Sequence, residues 1–230
     1  MTSAAPELPG AVRERVERLG REHGGVPAYV YDLDGLTAHL TAIKAALPAR
    51  AELFYAVKAN PDPAVLRVVA RQADGLEVAS GGELAHASAT VPCARLAFGG
   101  PGKTPAEIAA AVRPPVSRVH VESPHELRQL GAAALAAGVR SDVLLRVNLP
   151  GEAADGGMAR DQGAALVMGG APAPFGMDPF LLDRCASWLA EGSPEARALP
   201  RRFPRRRNRS WPIPKTAPMR QPSPGPRTLP

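Results

Sequence analysis

Short apolar runs rich in branched side chains recur through the first five-sixths of the chain and alternate with stretches of helical periodicity. These runs predict strands at residues 53–57, 76–79, 95–98, 118–121 and 143–147. Their starts, near residues 53, 75, 95, 118 and 142, lie 20–24 residues apart, which leaves room for one helix after each strand. Alternation of strand and helix at this step predicts βα units and a parallel sheet.

Capping signals mark the helix starts independently of the apolar pattern. Ser80–Glu83, Thr104–Glu107 and Ser123–Glu126 have the spacing of capping boxes, two of them with proline at the first helical position. Further helices are predicted at 9–23, 33–47 and 179–189, and a short strand at 29–31. Five βα units suit either part of an eight-unit barrel or a five-stranded doubly wound sheet, and periodicity leaves both open.

Composition narrows the class of protein. The two cysteines, Cys93 and Cys185, have no metal-ligand spacing and form no disulfide framework, so no metal is predicted and a reducing compartment is expected. No apolar run is long enough to span a membrane, and the first residues lack the pattern of a signal peptide. We therefore expect a cytoplasmic protein with no membrane partner.

The basic charge of the chain is concentrated at its end. Residues 193–230 hold ten Lys and Arg, one acid and ten of the 26 prolines, so the other 192 residues carry 28 − 10 = 18 bases and 22 − 1 = 21 acids. This predicts an N-terminal helix at 1–25, an α/β body at 26–192 and a disordered basic tail at 193–230. The tail has few aromatic residues, which disfavours nucleic acid as a partner. Pro, Arg, Ala and Gly have GC-rich codons, so a GC-rich gene read in another frame would give a tail of this composition; we therefore hypothesise a change of reading frame near residue 193.

Lys58 is the most informative single position. It is one of four lysines, and it follows the first predicted strand, at the sheet edge where parallel α/β folds place their active groups. A partly desolvated lysine can attack an aldehyde, which is how pyridoxal phosphate is held as a Schiff base. The alternative is a lysine that extends from the rim of the sheet into solvent.

The segment around Lys58 carries a family resemblance. Residues 54–63, FYAVKANPDP, closely resemble the pyridoxal-lysine segment of the fold-type III amino-acid decarboxylases, the ornithine, diaminopimelate and arginine group. Segments 75–84, 121–127, 145–148 and 175–178 resemble later motifs of that family in the same order. The resemblance covers about residues 26–189. Segments 98–104 and 168–170 are more similar to the branch that acts in siderophore, antibiotic and exopolysaccharide pathways.

The resemblance implies a pyridoxal 5'-phosphate-binding (β/α)8 barrel and decarboxylation of an amino acid through a Schiff base on Lys58. It places Glu77 beside the cofactor on the second strand and Arg146 near it on the fifth. Two alternatives stay open: Arg146 as a structural ion pair, and Glu83 as the capping partner of Ser80 with or without a role in the site.

Other residues with reactive or ionisable side chains give weaker indications of a functional site. His86 and His120 are interpreted as packing or solvated histidines. Lys103 superficially suggests a phosphate loop, but Ala97 stands where the first glycine of that motif belongs, so a nucleotide site is not predicted.

Several parts of the family pattern are missing from the sequence. Absent are a sixth-strand histidine, a glycine-rich phosphate turn, a Glu-Pro-Gly-Arg segment and a carboxyl-terminal β domain. We therefore expect an incomplete, truncated barrel with impaired activity, and the homodimer that the resemblance implies is not expected to form with shared sites. The alternative is a non-catalytic fragment that binds pyridoxal phosphate or nucleic acid.

Overall fold

The computed structural model describes residues 8–25, 27–92, 94–113, 116–148 and 174–199, and every structural statement below concerns these residues. Predictions that fall on Cys93, on most of the loop after the fifth strand and on the chain beyond Leu199 lie outside them. The helices are α1 Gly10–His23, α2 Leu33–Ala46, α3 Pro63–Gln72, α4 Gly81–Thr90, α5 Pro105–Ala111, α6 Pro124–Ala136, α7 Pro179–Glu191 and α8 Pro194–Arg197. The strands are β1 Phe54–Ala56, β2 Gly75–Val78, β3 Leu96–Phe98, β4 Arg118–Val121 and β5 Val143–Leu145.

The five strands form one parallel sheet in the order β1-β2-β3-β4-β5. A doubly wound sheet reverses its strand order at a switch point, whereas a barrel adds each new strand beside the last one. The sequential order therefore confirms the prediction of part of a (β/α)8-type barrel and excludes the doubly wound alternative for the described residues. No helix in these parts of the chain is long and apolar enough to cross a membrane.

The two faces of the sheet differ in character. On the outer face, fully buried side chains such as Leu76, Phe98 and Val119 belong to the hydrophobic core that also includes the apolar sides of α3 to α6. Residues that alternate with them, Glu77 on β2 and His120 on β4, lie on the inner face. On that face Leu144 of β5 is 44% exposed, as expected where a barrel wall is open.

The predicted helix starts are confirmed, with one refinement. Thr104 and Glu107 form a complete capping box at α5. Ser80 and Ser123 accept hydrogen bonds from the third residues of α4 and α6, but the carboxylates of those residues reach one position further back, to the strand ends. Each of these glutamates therefore fastens a helix to the strand that precedes it.

Two boundaries differ from the sequence prediction. The strand predicted at 29–31 is wrong: this segment pairs with no strand among the described residues, and Tyr29 is 91% exposed. Alternating aromatic residues favour a strand only where a neighbour supplies hydrogen bonds. The packed body also continues past the predicted limit of 192, because α8 places Ala196 and Leu199 in the interior and the Ala198 carbonyl accepts a hydrogen bond from Ser141 N.

Candidate active site

Lys58 lies immediately beyond the carboxyl end of β1, in a 3-10 turn that spans Val57–Ala59. Val57 is fully buried and anchors the turn, while Lys58 is exposed. The turn packs against β2 and α4. Within the described residues the Lys58 ammonium makes no hydrogen bond or ion pair, so it is available to a ligand.

The segment after Lys58 is fixed by side chains from two other elements. Tyr55 donates a hydrogen bond from its hydroxyl to the Asn60 carbonyl at 3.3 Å, and His86 Nε2 lies 2.7 Å from the Pro61 carbonyl. Asp62 then caps α3 through Ala64 N. His86 is therefore a packing residue that holds the lysine turn against α4, in agreement with its interpretation from the sequence.

Glu77 lies on the inner face of β2, one residue before the strand ends, and Gly99 leaves room for its carboxylate. A Cβ atom built on Gly99 would lie 2.6 Å from Glu77 Oε1 and 3.4 Å from His120 Nδ1. The two side chains therefore face each other across β3, above the bare Cα of the glycine. Neither makes a hydrogen bond to another described residue.

His120 lies on the inner face of the sheet, although the sequence predicted no role for it in the site. Burial lowers the pKa of its imidazole, against the opposing effect of the Glu77 carboxylate, so the ring is neutral over most of the physiological range. The signal that could have found it is alternation along β4: Arg118, His120 and Glu122 all lie on the face opposite the buried valines.

Arg146 follows β5 and forms an ion pair with Glu122, with Nη1 3.0 Å from Oε1. Its guanidinium lies over the Phe175 ring, 5.0 Å from the centroid. The second Glu122 oxygen accepts a hydrogen bond of 2.8 Å from Gly176 N. The ion pair left open by the sequence therefore exists, but the Arg146 side chain is still 32% exposed on the inner face.

Two glutamates near this edge have structural partners. Glu83 Oε2 accepts from Ala79 N at 2.9 Å, which supports its interpretation as a capping residue. Glu107 accepts hydrogen bonds from the amides of Thr104 and Gly81, and these lower the pKa of its carboxyl group. The second of these bonds joins the start of α5 to the start of α4.

Lys103 is buried and fully occupied. Its ammonium donates to the carbonyls of Gly100 and His120, both at 2.7 Å, and to Glu126 Oε1 at 2.6 Å. The Glu126 carboxylate in turn accepts from Glu122 N. An ammonium with all three donors engaged has none left for a phosphate, in agreement with rejection of the nucleotide site.

The opposite, amino-terminal end of the inner face is closed by a charged cluster. Arg95 and Arg118 both lie over the Phe54 ring and both donate to the Glu52 carboxylate. Hydrogen bonds from the two guanidinium groups lower the pKa of the Glu52 carboxyl group, and the bond from Arg95 contributes most. Because these groups satisfy one another, the unpartnered polar groups of the inner face are concentrated at its carboxyl edge.

The three residues predicted for the site lie along the carboxyl edge of the sheet, just after β1, near the end of β2 and just after β5: Lys58, Glu77 and Arg146. No hydrogen bond or ion pair joins them to one another within the described residues. Lys58 and Glu77 stand at neighbouring strands, because β1 pairs directly with β2. Arg146 is three strands further along the same edge.

Residues 33–163 match the family model described as pyridoxal-dependent decarboxylase, pyridoxal binding domain. The chain belongs to this family. The chain is 40% identical over 172 residues to the 2-[(L-alanin-3-ylcarbamoyl)methyl]-2-hydroxybutanedioate decarboxylase of Staphylococcus aureus, a match that covers 75% of this chain and 41% of that protein. It is 38% identical over 129 residues to diaminopimelate decarboxylase of Pseudomonas aeruginosa, covering 55% and 31%.

Solved structures agree with the fold of the chain. Diaminopimelate decarboxylase of Helicobacter pylori in complex with L-lysine superimposes with a TM-score of 0.66 at 25% identity, covering 77% of this chain and 44% of that one. The chain thus spans about two fifths of the length of these relatives. Family membership confirms the resemblance inferred from the sequence and the predicted cofactor, pyridoxal 5'-phosphate.

The donor set at the carboxyl edge of the sheet fits this cofactor. An amine without an intramolecular partner, Lys58, suits an aldehyde, while the Glu77 carboxylate and the His120 imidazole suit the polar substituents of a pyridine ring. Gly99 keeps the space between the last two clear, since any Cβ there would meet the Glu77 carboxylate.

Proposed function

We propose that this protein decarboxylates an α-amino acid with pyridoxal phosphate, and that Lys58 is the residue to which the cofactor is covalently attached. The observation that carries the proposal is the placement of Lys58, whose ammonium has no partner in the described structure and stands beyond a strand end on a turn fastened by Tyr55 and His86. When bound, the cofactor supplies an electron sink for the carbanion left by the departing CO2.

The neighbouring residues have distinct roles in this proposal. Glu77 and His120 hold the polar substituents of the cofactor from two sides of Gly99, and the turn after β1 limits the positions that Lys58 can sample. Arg146 presents a positive charge at the far end of the same edge. Fixing reacting groups in this way lowers the entropy cost of reaching the transition state.

We further propose that the substrate has an anionic side chain. Support comes from the Staphylococcus aureus relative, whose match extends over 172 residues, compared with 129 for the Pseudomonas aeruginosa diaminopimelate decarboxylase. The name of the former describes an L-alanine unit joined through an amide to a hydroxy-dicarboxylate. Diaminopimelate is the competing candidate, since it carries an amino group as well as a carboxylate at its far end.

Trapping the cofactor tests the assignment of Lys58. The purified chain is incubated with pyridoxal phosphate, reduced with borohydride and mapped by peptide mass spectrometry, together with Lys58→Ala and the matched control Lys44→Ala. We expect one adduct at Lys58, retained in the Lys44 variant and lost in Lys58→Ala. Labelling spread over the lysines, or equal labelling of both variants, would refute the proposal. Release of CO2 from the two candidate substrates then separates them.

A further inference from the structure

Two buried carboxylates near the carboxyl ends of the strands form ion pairs of different kinds. Both side chains of the Lys103–Glu126 pair are buried, with exposures of 2% and 6%. In the Glu122–Arg146 pair only the glutamate is buried: the Glu122 side chain is 2% exposed, whereas that of Arg146 is 32% exposed. Burial of both charges strengthens their attraction but costs their hydration, so the Lys103–Glu126 pair depends on its further hydrogen bonds, whereas Arg146 keeps part of its contact with water.

The Glu122 carboxylate is held rigidly. Its two oxygens accept from Arg146 Nη1 at 3.0 Å and from Gly176 N at 2.8 Å. Its own backbone amide donates to Glu126, whose other oxygen is bound to Lys103. A buried carboxylate with these partners is fixed in position, so it can orient the arginine that it binds.

The segment 174–178 restrains Arg146 from the other side. The guanidinium lies over Phe175, and a Cβ built on Gly176 would lie 3.2 Å from Arg146 Cγ. Gly176 has a φ of +79°, a conformation that suits glycine, and its amide reaches Glu122 only in this arrangement. Arg146 is therefore held between a carboxylate and an aromatic ring, and its exposed part faces the inner side of the sheet.

We propose that Glu122 is a positioning residue, which holds the Arg146 guanidinium so that it binds an oxyanion of the bound molecules. This deepens the proposed function and rests on it. The oxyanion has two possible sources with the same chemistry, the phosphate of the cofactor and the α-carboxylate of the amino acid. Guanidinium groups bind both through paired N–H donors, and the strength of such contacts depends on orientation.

The test compares ligands that differ only in the oxyanion. Dissociation constants are measured by absorbance titration for pyridoxal phosphate against pyridoxal, and for L-lysine against cadaverine as displacers of the cofactor from Lys58. In Glu122→Gln we expect binding of the oxyanion-bearing member of one pair to weaken by about tenfold, the lower end of what orienting partners contribute at metal sites. Weakening confined to the first pair identifies the phosphate, and weakening confined to the second identifies the carboxylate.

The double variant separates positioning from a general structural effect. In an Arg146→Gln background, Glu122→Gln should cause no further loss of discrimination, because the arginine through which it acts is gone. Glu107→Gln, a partly buried capping carboxylate outside the site, is the matched control and should bind all four ligands as the parent chain does. If Glu122→Gln does not fold by circular dichroism, Arg146→Gln alone should still lose discrimination within the same pair.

The outcomes are distinguishable from those of the proposed function. No Lys58 adduct in the parent chain would overturn both proposals. An adduct in the parent chain, with equal weakening of both members of each pair or with no weakening at all, would overturn only the positioning role. A loss that persists in the Arg146→Gln background would do the same.

Discussion

Replacing Lys103 by methionine is expected to cost about 3–5 kcal/mol of unfolding free energy, the range for removing one partner of a buried ion pair. Methionine has a similar length and can occupy the site beside Phe98, so the lost stability is electrostatic and not steric in origin. Three hydrogen bonds of 2.6–2.7 Å disappear, and the Glu126 carboxylate, whose side chain is 6% exposed, keeps only its bond from Glu122 N.

The measurement is urea unfolding of the full chain, followed by tryptophan fluorescence and far-ultraviolet circular dichroism. Lys44→Met is the matched control: the Lys44–Asp74 pair is 40% and 26% exposed, so its loss should cost no more than about 1 kcal/mol. Adding Glu126→Gln to Lys103→Met should recover between about 0.5 and 3 kcal/mol, because the stranded charge is removed. If Lys103→Met costs no more than the control, the buried pair does not fasten β4 to α6 as the contacts indicate.

Two further predictions concern the inner face. Gly99→Ala should weaken pyridoxal phosphate binding while the chain stays folded, because the added Cβ would displace the flexible end of Glu77. Calorimetry measures the affinity for the cofactor, and circular dichroism measures the folding. Unchanged affinity would contradict the placement of the cofactor beside Glu77. Burial lowers the pKa of His120, so the folded state should lose stability as the pH falls from the ordinary histidine pKa through that lowered value. In Glu77→Gln, NMR titration should give a still lower pKa for His120, because the opposing carboxylate charge is gone. An unchanged pKa would show that the two side chains do not interact, and a rise would contradict the assigned effect of the carboxylate.

Much of the fold follows from local sequence. The five strands and the helix starts were predictable because apolar periodicity and Ser or Thr followed by Glu act within a few residues of one another. The segment 29–31 was not, since a strand needs a partner, and partners are set by the whole chain. The limit at residue 193 failed for a related reason: composition changes there, but Ala196 and Leu199 still find apolar neighbours.

The site divides in the same way. Lys58, Glu77 and Arg146 could be placed on or just after strands because each lies in a segment that resembles a motif of the family. The partners of Arg146 could not, because Glu122 lies 24 residues away and Gly176 approaches Glu122 from 54 residues away. Contacts over such separations depend on how strands are placed side by side, which no local pattern encodes.

The structure offers a physical criterion for separating structural from ligand-binding carboxylates in this barrel. A glutamate in the first turn of a helix, such as Glu83 or Glu126, can reach back to the amide at the end of the preceding strand and is thereby occupied. A glutamate within a strand has no free backbone amide nearby in its own strand, because the strand amides donate to neighbouring strands. Glu77 is in that position, and Gly99 has no side chain that would meet its carboxylate. A carboxylate held there without a partner is open to a ligand, whereas the similar Glu122 is closed by its contacts and acts through Arg146.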